Sequence, residues 1–447
     1  MPPPTLAIAI RHTLQNHARY QGHRHAVIDR HGILTFSQLW RQARDLAAEH
    51  DQRPGKIIAV SATSDAAFFV RTAAIWLRGA VPMPVDPRTP QPLRESLTRR
   101  ATIGAHTCRP WKATVGVASG IYRPLVTGGE LPTVARKAHA VGLGTSHNSA
   151  DPAASGVALF AAPMHLNGPF EFAVRHLLLG GSLAVLDRFA PQAWAQIAAA
   201  TDASWAFLAP IQIGRLLEQV ERNELRASTA GLRTLMHSAA PCPAHVRDRL
   251  LEVVDPHIVA EYYGAAEYDG TFTRADDRRP GGVPIAGAEF RVVDADRRPV
   301  AEGVAGTIEG RSTAGCSGHY AGAPCLPARA WRTVGDHGLL TTEGRLLVTG
   351  TASDGRAIVG GVNVAMARVH AVVLSHPSVM SCQVIAAPDD DYGQVLVARV
   401  IADRPLPADI LHSYCADRLR PAERPRHLDI TTPAHLASED SDRVVSV

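Results

Sequence analysis

Lysine, the residue on which much phosphate and carboxylate chemistry relies, is almost missing from this chain. Of 46 Lys+Arg in 447 residues, only Lys56, Lys112 and Lys137 are lysines. A compact ammonium places a point charge on a reacting carboxylate or phosphate, and none stands in the C-terminal quarter. Two carboxylates sit among small residues. Glu267 follows Gly264-Ala-Ala, and Asp336 lies between Gly335 and His337-Gly338. Gly360 and Gly361 form a pair that lets another group approach the backbone closely. His165 stands between apolar residues at the end of an expected strand. The six cysteines (Cys108, Cys242, Cys316, Cys325, Cys382, Cys415) show no CxxC spacing and no companion histidine cluster. Neither a disulfide framework nor a zinc site is expected from that pattern.

The elements that must hold these residues alternate in type. Helical spacing covers residues 5–20 and 36–50. Short apolar runs follow at His25–Ile28 and Ile57–Val60, then a helix at Ala66–Leu77 and a strand at Ala80–Val85. The alternation resumes with a strand at Val157–Ala161, a helix at Glu171–Leu179, a strand at Ser182–Leu186 and a helix at Ala193–Ala200. It continues through a strand at Trp205–Leu208, a helix at Ile211–Asn223, a strand at Thr234–His237, a helix at Pro243–Val254 and a strand at His257–Tyr262. Such an order predicts an α/β fold of parallel strands with covering helices. After Gly264 short strands at Val283, Phe290–Val293, Gly306–Glu309 and Arg345–Val348 alternate with turns, as in an antiparallel or barrel-like subdomain. From about Ala352 a small α+β unit follows, with helices at Ala367–Ser375 and Ala408–Leu419 and strands at Met380–Ala386 and Val395–Ile401.

Composition excludes several classes. At 447 residues two or three domains are expected, and 46% hydrophobic with 20% charged residues fits a globular chain with large buried sheets. The net charge of +4 is small for this length. The arginine-rich stretch Arg418–Arg426 lacks interleaved aromatics, so no nucleic-acid partner is expected. Gly142-Leu-Gly144-Thr-Ser146 lacks the final glycine and preceding strand of a dinucleotide fingerprint. No apolar run reaches 18 residues, and the first twenty residues do not form a signal peptide, so a cytoplasmic protein without a membrane span is expected.

In order along the chain, the landmarks resemble the adenylate-forming acyl-CoA synthetases and ligases. Ala80-Val-Pro-Met-Pro-Val-Asp86 is similar to "GAVYVPLDP", and Pro163-Met-His165-Leu-Asn-Gly168 to "PLFHVNG" beside the acyl pocket. His237-Ser-Ala-Ala-Pro-Cys-Pro243 resembles the small-residue loop next to adenine. Tyr263-Gly-Ala-Ala-Glu267 resembles "YGxTE", and Val334-Gly-Asp336-His-Gly338 resembles "TGDxG". Val359-Gly-Gly-Val-Asn-Val364 is similar to "GGxNV". His376-Pro-Ser-Val379 and Pro388-Asp-Asp-Asp-Tyr-Gly393 match the spacers "HPxV" and "PDxxxGE".

The resemblance implies a large multi-subdomain N-terminal AMP-binding domain over 1–350 and a small mobile C-terminal domain over 351–447. It implies that Ser119, Gly120, Ala239, Ala240, Pro241, Tyr263, Gly264, Ala266 and Asp336 bind nucleotide. Asp336 would accept from the ribose hydroxyls, and the small residues Ala239–Pro241 would face a flat adenine. Glu267 would hold Mg²⁺ against phosphate oxygens. His165 and Gly168 would border an acyl pocket. Gly360 and Gly361 would admit the thiol arm of CoA or of a carrier protein. The partner molecules expected are a carboxylic acid or its adenylate and a carrier or other protein.

The sequence also departs from the pattern. The expected phosphate-cradling loop, a Ser/Thr/Gly run ending in Pro-Lys, has its best counterpart in Ala118-Ser-Gly-Ile-Tyr-Arg-Pro-Leu125, where Leu125 replaces lysine. Ile121 and Tyr122 obstruct close approach to phosphate. Ala266 replaces the threonine of "YGxTE", and Thr351 replaces an arginine. The hinge aspartate falls on Ser353. Leu436-Ala-Ser-Glu-Asp-Ser-Asp-Arg-Val444 aligns with "LPRTATGKVL", which puts Arg443 at the catalytic lysine position. The scaffold motifs survive while the triphosphate contacts fail together. Three readings stay open: an ATP-dependent ligase, a protein that accepts preformed acyl-adenylate for acyl transfer, and a pseudoenzyme serving as a binding, regulatory or scaffolding partner.

Overall fold

A computed structural model describes residues 6–49, 56–96, 117–126, 134–142, 156–239, 242–265, 268–277, 279–285, 287–312, 316–319, 330–350, 356–389 and 391–432. The chain forms two compact units. Of the described residues, the second holds 88–96 and 356–432, and the first holds the rest.

In the first unit the strands run β1 His25–Asp29, β2 Gly32–Thr35, β3 Ile57–Ser61, β4 Val81–Val85, β5 Val117–Val126, β6 Val134–Gly142, β7 Val157–Phe160, β8 Ser182–Val185 and β9 Ala203–Leu208. They continue with β10 Thr234–His237, β11 Val259–Ala265, β12 Tyr268–Arg274, β13 Val283–Pro284, β14 Ala288–Val293, β15 Gly306–Ser312, β16 Cys316–His319, β17 His337–Leu340 and β18 Leu346–Gly350. Nine of them make the main sheet, in the order β13-β12-β11-β10-β9-β7-β8-β1-β2. From β11 to β1 the pairing is parallel. At the margins β2, β12 and β13 pair antiparallel.

The central strands are buried at every position of Ser182–Val185, Ala203–Leu208 and Thr234–His237. A parallel sheet covered on both faces requires such continuous apolar runs. Strand alternation then divides the side chains between two cores. Ala158, Phe160, Val185, Trp205, Phe207 and Met236 pack with Phe36, Phe68, Phe69, Phe170 and Phe172. Leu159, Ala184, Leu208, Leu235 and Val259 pack on the other face with Trp194, Ile213, Leu216 and Leu250. The helix Ala66–Leu77 begins where Asp65 accepts from the Phe68 amide at 2.7 Å and ends at Gly79, with φ +73°.

An antiparallel sheet β14-β15-β17-β18 follows, as the turn-rich sequence after Gly264 predicts. Val292, Ile308 and Leu346 form its small core. Glu309 is fully buried within it, and Arg291 and Arg297 hold its carboxylate. The Trp331 ring meets both the Arg291 and Arg311 guanidiniums, whose carbons lie 4.6 and 4.4 Å from the ring centre.

Two expectations need correction. Ser119 and Gly120 were placed in a phosphate-cradling loop, but they lie in β5, opposite Ala140 and His139 of β6. The segment is rich in β-branched and aromatic residues, which favour a pleated strand. The segment that joins β5 to β6 is Thr127-Gly-Gly-Glu-Leu-Pro-Thr133, outside the described residues. The expected helix Ile211–Asn223 is two helices, Pro210–Gln219 and Arg222–Thr229, because Val220 is extended at φ −109°, ψ 131°.

The second unit has strands β19 Arg356–Val359, β20 Val362–Ala365, β21 Val379–Asp389, β22 Gly393–Ala402 and β23 His427–Thr431, with helices Met366–Leu374 and Ala408–Ala416. β21 and β22 pair antiparallel and β23 adds parallel to β22. Val364, Val369, Val373, Leu396, Val400, Leu411 and Leu419 fill its core. Among the described residues no helix is long and apolar enough to cross a membrane.

Candidate active site

In an open α/β sheet the binding crevice lies outside the carboxyl ends of the parallel strands. Here the ends of β10 and β11 carry the candidate residues. β10 runs into Ser238-Ala239, and Ala239 is exposed with φ +80°. A non-glycine residue in this left-handed region costs roughly 1–2 kcal/mol. Strain of this kind concentrates where a chain binds ligands. Ala240 and Pro241 lie outside the described residues, as do Ala266 and Glu267.

β11 delivers Tyr263 and Gly264. The Tyr263 hydroxyl donates to Asp336 Oδ2 at 2.8 Å and lies 2.9 Å from the Tyr268 hydroxyl. Burial, followed by the neighbouring Tyr268 and Asp336, pushes the Tyr263 phenol far above its ordinary value. It therefore remains a protonated donor. Asp336 precedes β17 in the antiparallel sheet, fixed through its carbonyl, which accepts from the Ile308 amide at 2.7 Å. Gly335, with φ +87°, makes the turn that presents it.

Behind the β10 and β11 ends lies a cluster that sequence reasoning did not single out. His237 is opposite Glu261 in the parallel ladder. Burial and, to a smaller extent, nearby Arg247 lower the His237 pKa to about 4. Its Nδ1 has no hydrogen-bond partner among the described residues. Burial raises the Glu261 carboxyl, against the pull of Arg247. The Cys242 thiol is pushed up to about 11 by burial and then by Glu261, so it is no thiolate nucleophile at neutral pH. The available signal was a glutamate inside the apolar run Val259-Ala-Glu-Tyr-Tyr.

The segment expected to border the acyl pocket meets the segment that ends in Asp86. His165 Nε2 is 3.8 Å from Asp86 Oδ2, and Asp86 is 8% exposed. Asp86 ends the segment of β4, and His165 sits in the turn before the helix Asn167–Leu178. Gly168, in the first turn of that helix, faces the Phe207 ring, which would lie 3.4 Å from an added Cβ. Ser119 and Gly120 are in β5, as above. In a strand successive amides point to alternate sides, whereas a phosphate cradle needs them to converge.

In the second unit Gly360 and Gly361 join β19 to β20 between the paired residues Val359 and Val362. Their φ values, +55° and +80°, are those of a two-residue type I′ hairpin turn. The Gly360 amide donates to the Tyr392 carbonyl at 2.8 Å, and a Cβ on Gly360 would come 3.2 Å from the Tyr392 ring. Arg443 lies outside the described residues. Among the described residues no group of His, Cys, Asp or Glu is arranged to hold a metal ion, and Cys242, Cys382 and Cys415 are free thiols.

Comparison with known proteins bears on this geometry. The AMP-binding enzyme family model matches residues 134–320, and the model of the AMP-binding enzyme C-terminal domain matches 368–435. The chain belongs to the adenylate-forming, AMP-binding superfamily. Sulfoacetate–CoA ligase of Cupriavidus necator is 28% identical over 274 residues, 59% of this chain and 52% of that protein. The chain thus spans about half the length of the curated relatives it matches. In fold it is similar to a double mutant of o-succinylbenzoate CoA synthetase from Bacillus subtilis, with a TM-score of 0.78 and 18% identity over 94% of each chain. A malonyl-CoA ligase solved with methylmalonyl-CoA and AMP has a TM-score of 0.76 at 24% identity, over 92% of this chain and 96% of that one.

Proposed function

We propose that this acyl-CoA ligase-like protein binds AMP or an acyl-adenylate at the ends of β10 and β11, and that its ATP-dependent adenylation step is impaired. One observation carries the nucleotide reading. Tyr263 and Asp336, 73 residues apart, are hydrogen-bonded to each other, and the strained Ala239 follows the end of β10, the parallel neighbour of the strand that carries Tyr263. A half-buried carboxylate suits a ribose diol, and the small exposed Ala239 suits a flat base.

Impairment follows from the groups the chain lacks. Ser119 and Gly120 stand in a strand that offers no phosphate cradle, and Arg443 aligns with the catalytic lysine. A planar guanidinium is not an equivalent point charge. Losing one electrostatic donor of this kind costs ~10²–10³ in rate. In this reading Glu267 would be the residue to hold Mg²⁺, and Mg²⁺ would neutralise phosphate charge. The acyl group would lie by His165 and Gly168, and a CoA or carrier-protein thiol would approach past Gly360-Gly361. The same losses favour a second reading, a catalytically inactive pseudoenzyme that uses the site for binding, regulation or scaffolding.

Calorimetric titration of the purified chain with AMP and with Mg·ATP tests the proposal. AMP should bind at least as tightly as Mg·ATP. Mg·ATP binding tenfold tighter, about 1.4 kcal/mol, would overturn it. Preformed acyl-AMP plus a thiol then separates the readings, since a transferase turns it over and a pseudoenzyme only binds it.

A further inference from the structure

Tyr268 opens β12 just past the sequence motif that contains Tyr263 and Glu267, and no role attaches to it from sequence. Its side chain is fully buried. The ring meets Phe290 edge-on at 5.6 Å and 86°. Gly310, the cross-strand partner of Phe290, leaves room for the ring, since an added Cβ there would fall 2.6 Å from it. Packing against a bare backbone and a perpendicular aromatic fixes where the phenol oxygen lies. That oxygen is 2.9 Å from the Tyr263 hydroxyl.

The proton order follows from valence. A tyrosine hydroxyl has one proton, and an ionised carboxylate only accepts. Tyr263 spends its proton on Asp336 Oδ2, so Tyr268 must donate to Tyr263. The chain Tyr268 → Tyr263 → Asp336 spans the main sheet and the antiparallel sheet. Hydrogen bonds in such a series polarise and strengthen one another.

We propose that Tyr268 is a positioning residue for nucleotide binding: through the Tyr263 hydroxyl it orients the Asp336 carboxylate toward a ribose diol. The inference rests on the reading that Asp336 receives the ribose. Removing the Tyr268 hydroxyl takes away the donor to the Tyr263 oxygen, which weakens the Tyr263–Asp336 hydrogen bond and its hold on the carboxylate rotamer. The ligand term affected is selectivity for the diol, whereas binding of the base depends on other groups.

The test is calorimetric binding of AMP and of 2′,3′-dideoxy-AMP to the full chain, as wild type, Tyr268→Phe and Tyr263→Phe, with melting temperature measured for each. Tyr268→Phe should cut the preference for AMP over the dideoxy nucleotide by roughly three- to tenfold and leave dideoxy-AMP affinity in place. Tyr263→Phe should cut it at least as much, and it decides the relay should Tyr268→Phe fail to fold. A merely structural Tyr268 would lower the melting temperature or weaken both nucleotides alike, with the ratio unchanged, and that result overturns the inference. A wild type that does not distinguish the two nucleotides, or binds neither, overturns the ribose reading itself. Discrimination by wild type that survives both substitutions overturns only the relay.

Discussion

Two buried histidines should make the first unit acid-labile in a window set by imidazole chemistry. His176 has no exposure, and its Nε2 lies 3.0 Å from the Gly156 carbonyl. It cannot move aside, because Gly181 backs it so closely that a Cβ there would fall 2.2 Å from Nε2. Burial lowers its pKa from 6.5 to about 4, and the same cause takes His237 to about 4. The folded state then binds fewer protons than the unfolded state between these values, so stability rises with pH across that window. At pH 7 the contribution is nearly intact, and it is lost as pH falls toward 4. Linkage with these values gives a loss of about 2 kcal/mol per histidine between pH 7 and pH 5. Two histidines therefore remove about 4 kcal/mol, a large part of the 5–15 kcal/mol typical of a folded domain. Glu261, whose carboxyl is raised by burial, works in the opposite direction and offsets part of this near the lower end.

The assay is urea unfolding followed by tryptophan fluorescence at a series of pH values. All six tryptophans precede residue 350, and Trp76, Trp194 and Trp205 are buried in the first unit, so the signal reports that unit. His176→Gln keeps a side-chain donor for Gly156 and removes the titration. It should roughly halve the slope of stability against pH between pH 5 and pH 6.5. An unchanged slope in His176→Gln, or a wild type equally stable at pH 5 and pH 7, would refute the reasoning.

Two further outcomes are expected. Gly360→Ala forces a Cβ into a turn with φ +55° and against the Tyr392 ring, which should cost the second unit about 1–2 kcal/mol. Hydrogen exchange should show faster exchange in β21 and β22 with the tryptophan-reported unfolding unchanged; equal protection would show that the hairpin relaxes freely. Arg443→Lys should not restore robust ATP–pyrophosphate exchange, because Leu125 and the extended β5 remain; strong exchange from that substitution alone would mean one charge was all that was missing.

The parts of the fold legible from sequence are those where one physical signal dominates. Ala66–Leu77 and Thr234–His237 match the expected boundaries, because an aspartate cap with Gly79 brackets the first and an unbroken apolar run marks the second. β12 was not anticipated. Tyr-Asp-Gly-Thr-Phe-Thr-Arg is an edge-region strand with polar residues and no continuous apolar stretch, and it reads as turn. The break between Gln219 and Arg222 carries no Gly or Pro. Val220 adopts an extended conformation there, and helix propensity alone does not foresee that. Ala118–Leu125 reads as a loop only through its resemblance, and the strand preference of residues such as Ile121 and Tyr122 outweighs that weak match.

The candidate site was legible as a set of residues but not as an arrangement. Motif spacing names Tyr263, Asp336, His165 and Asp86 one at a time. Nothing in that spacing puts the Tyr263 phenol on the Asp336 carboxylate or Asp86 within 3.8 Å of His165. Those contacts come from the crossovers that bring the antiparallel sheet and the β3-β4 pair to the main sheet. Tyr268, Glu261 and Arg247 escaped notice for a related reason. Each is an unremarkable residue type by position: Tyr268 and Glu261 stand out only by their burial, and the exposed Arg247 only by its charge near His237 and Glu261. Burial also decides which of them can take part in chemistry. It leaves Tyr263 a permanent donor, His237 neutral and Cys242 protonated near pH 7. With those groups fixed in charge, the proposed nucleotide recognition would rest on the orientation of Asp336, and that makes the hydroxyl behind it worth testing before any group that resembles a catalyst.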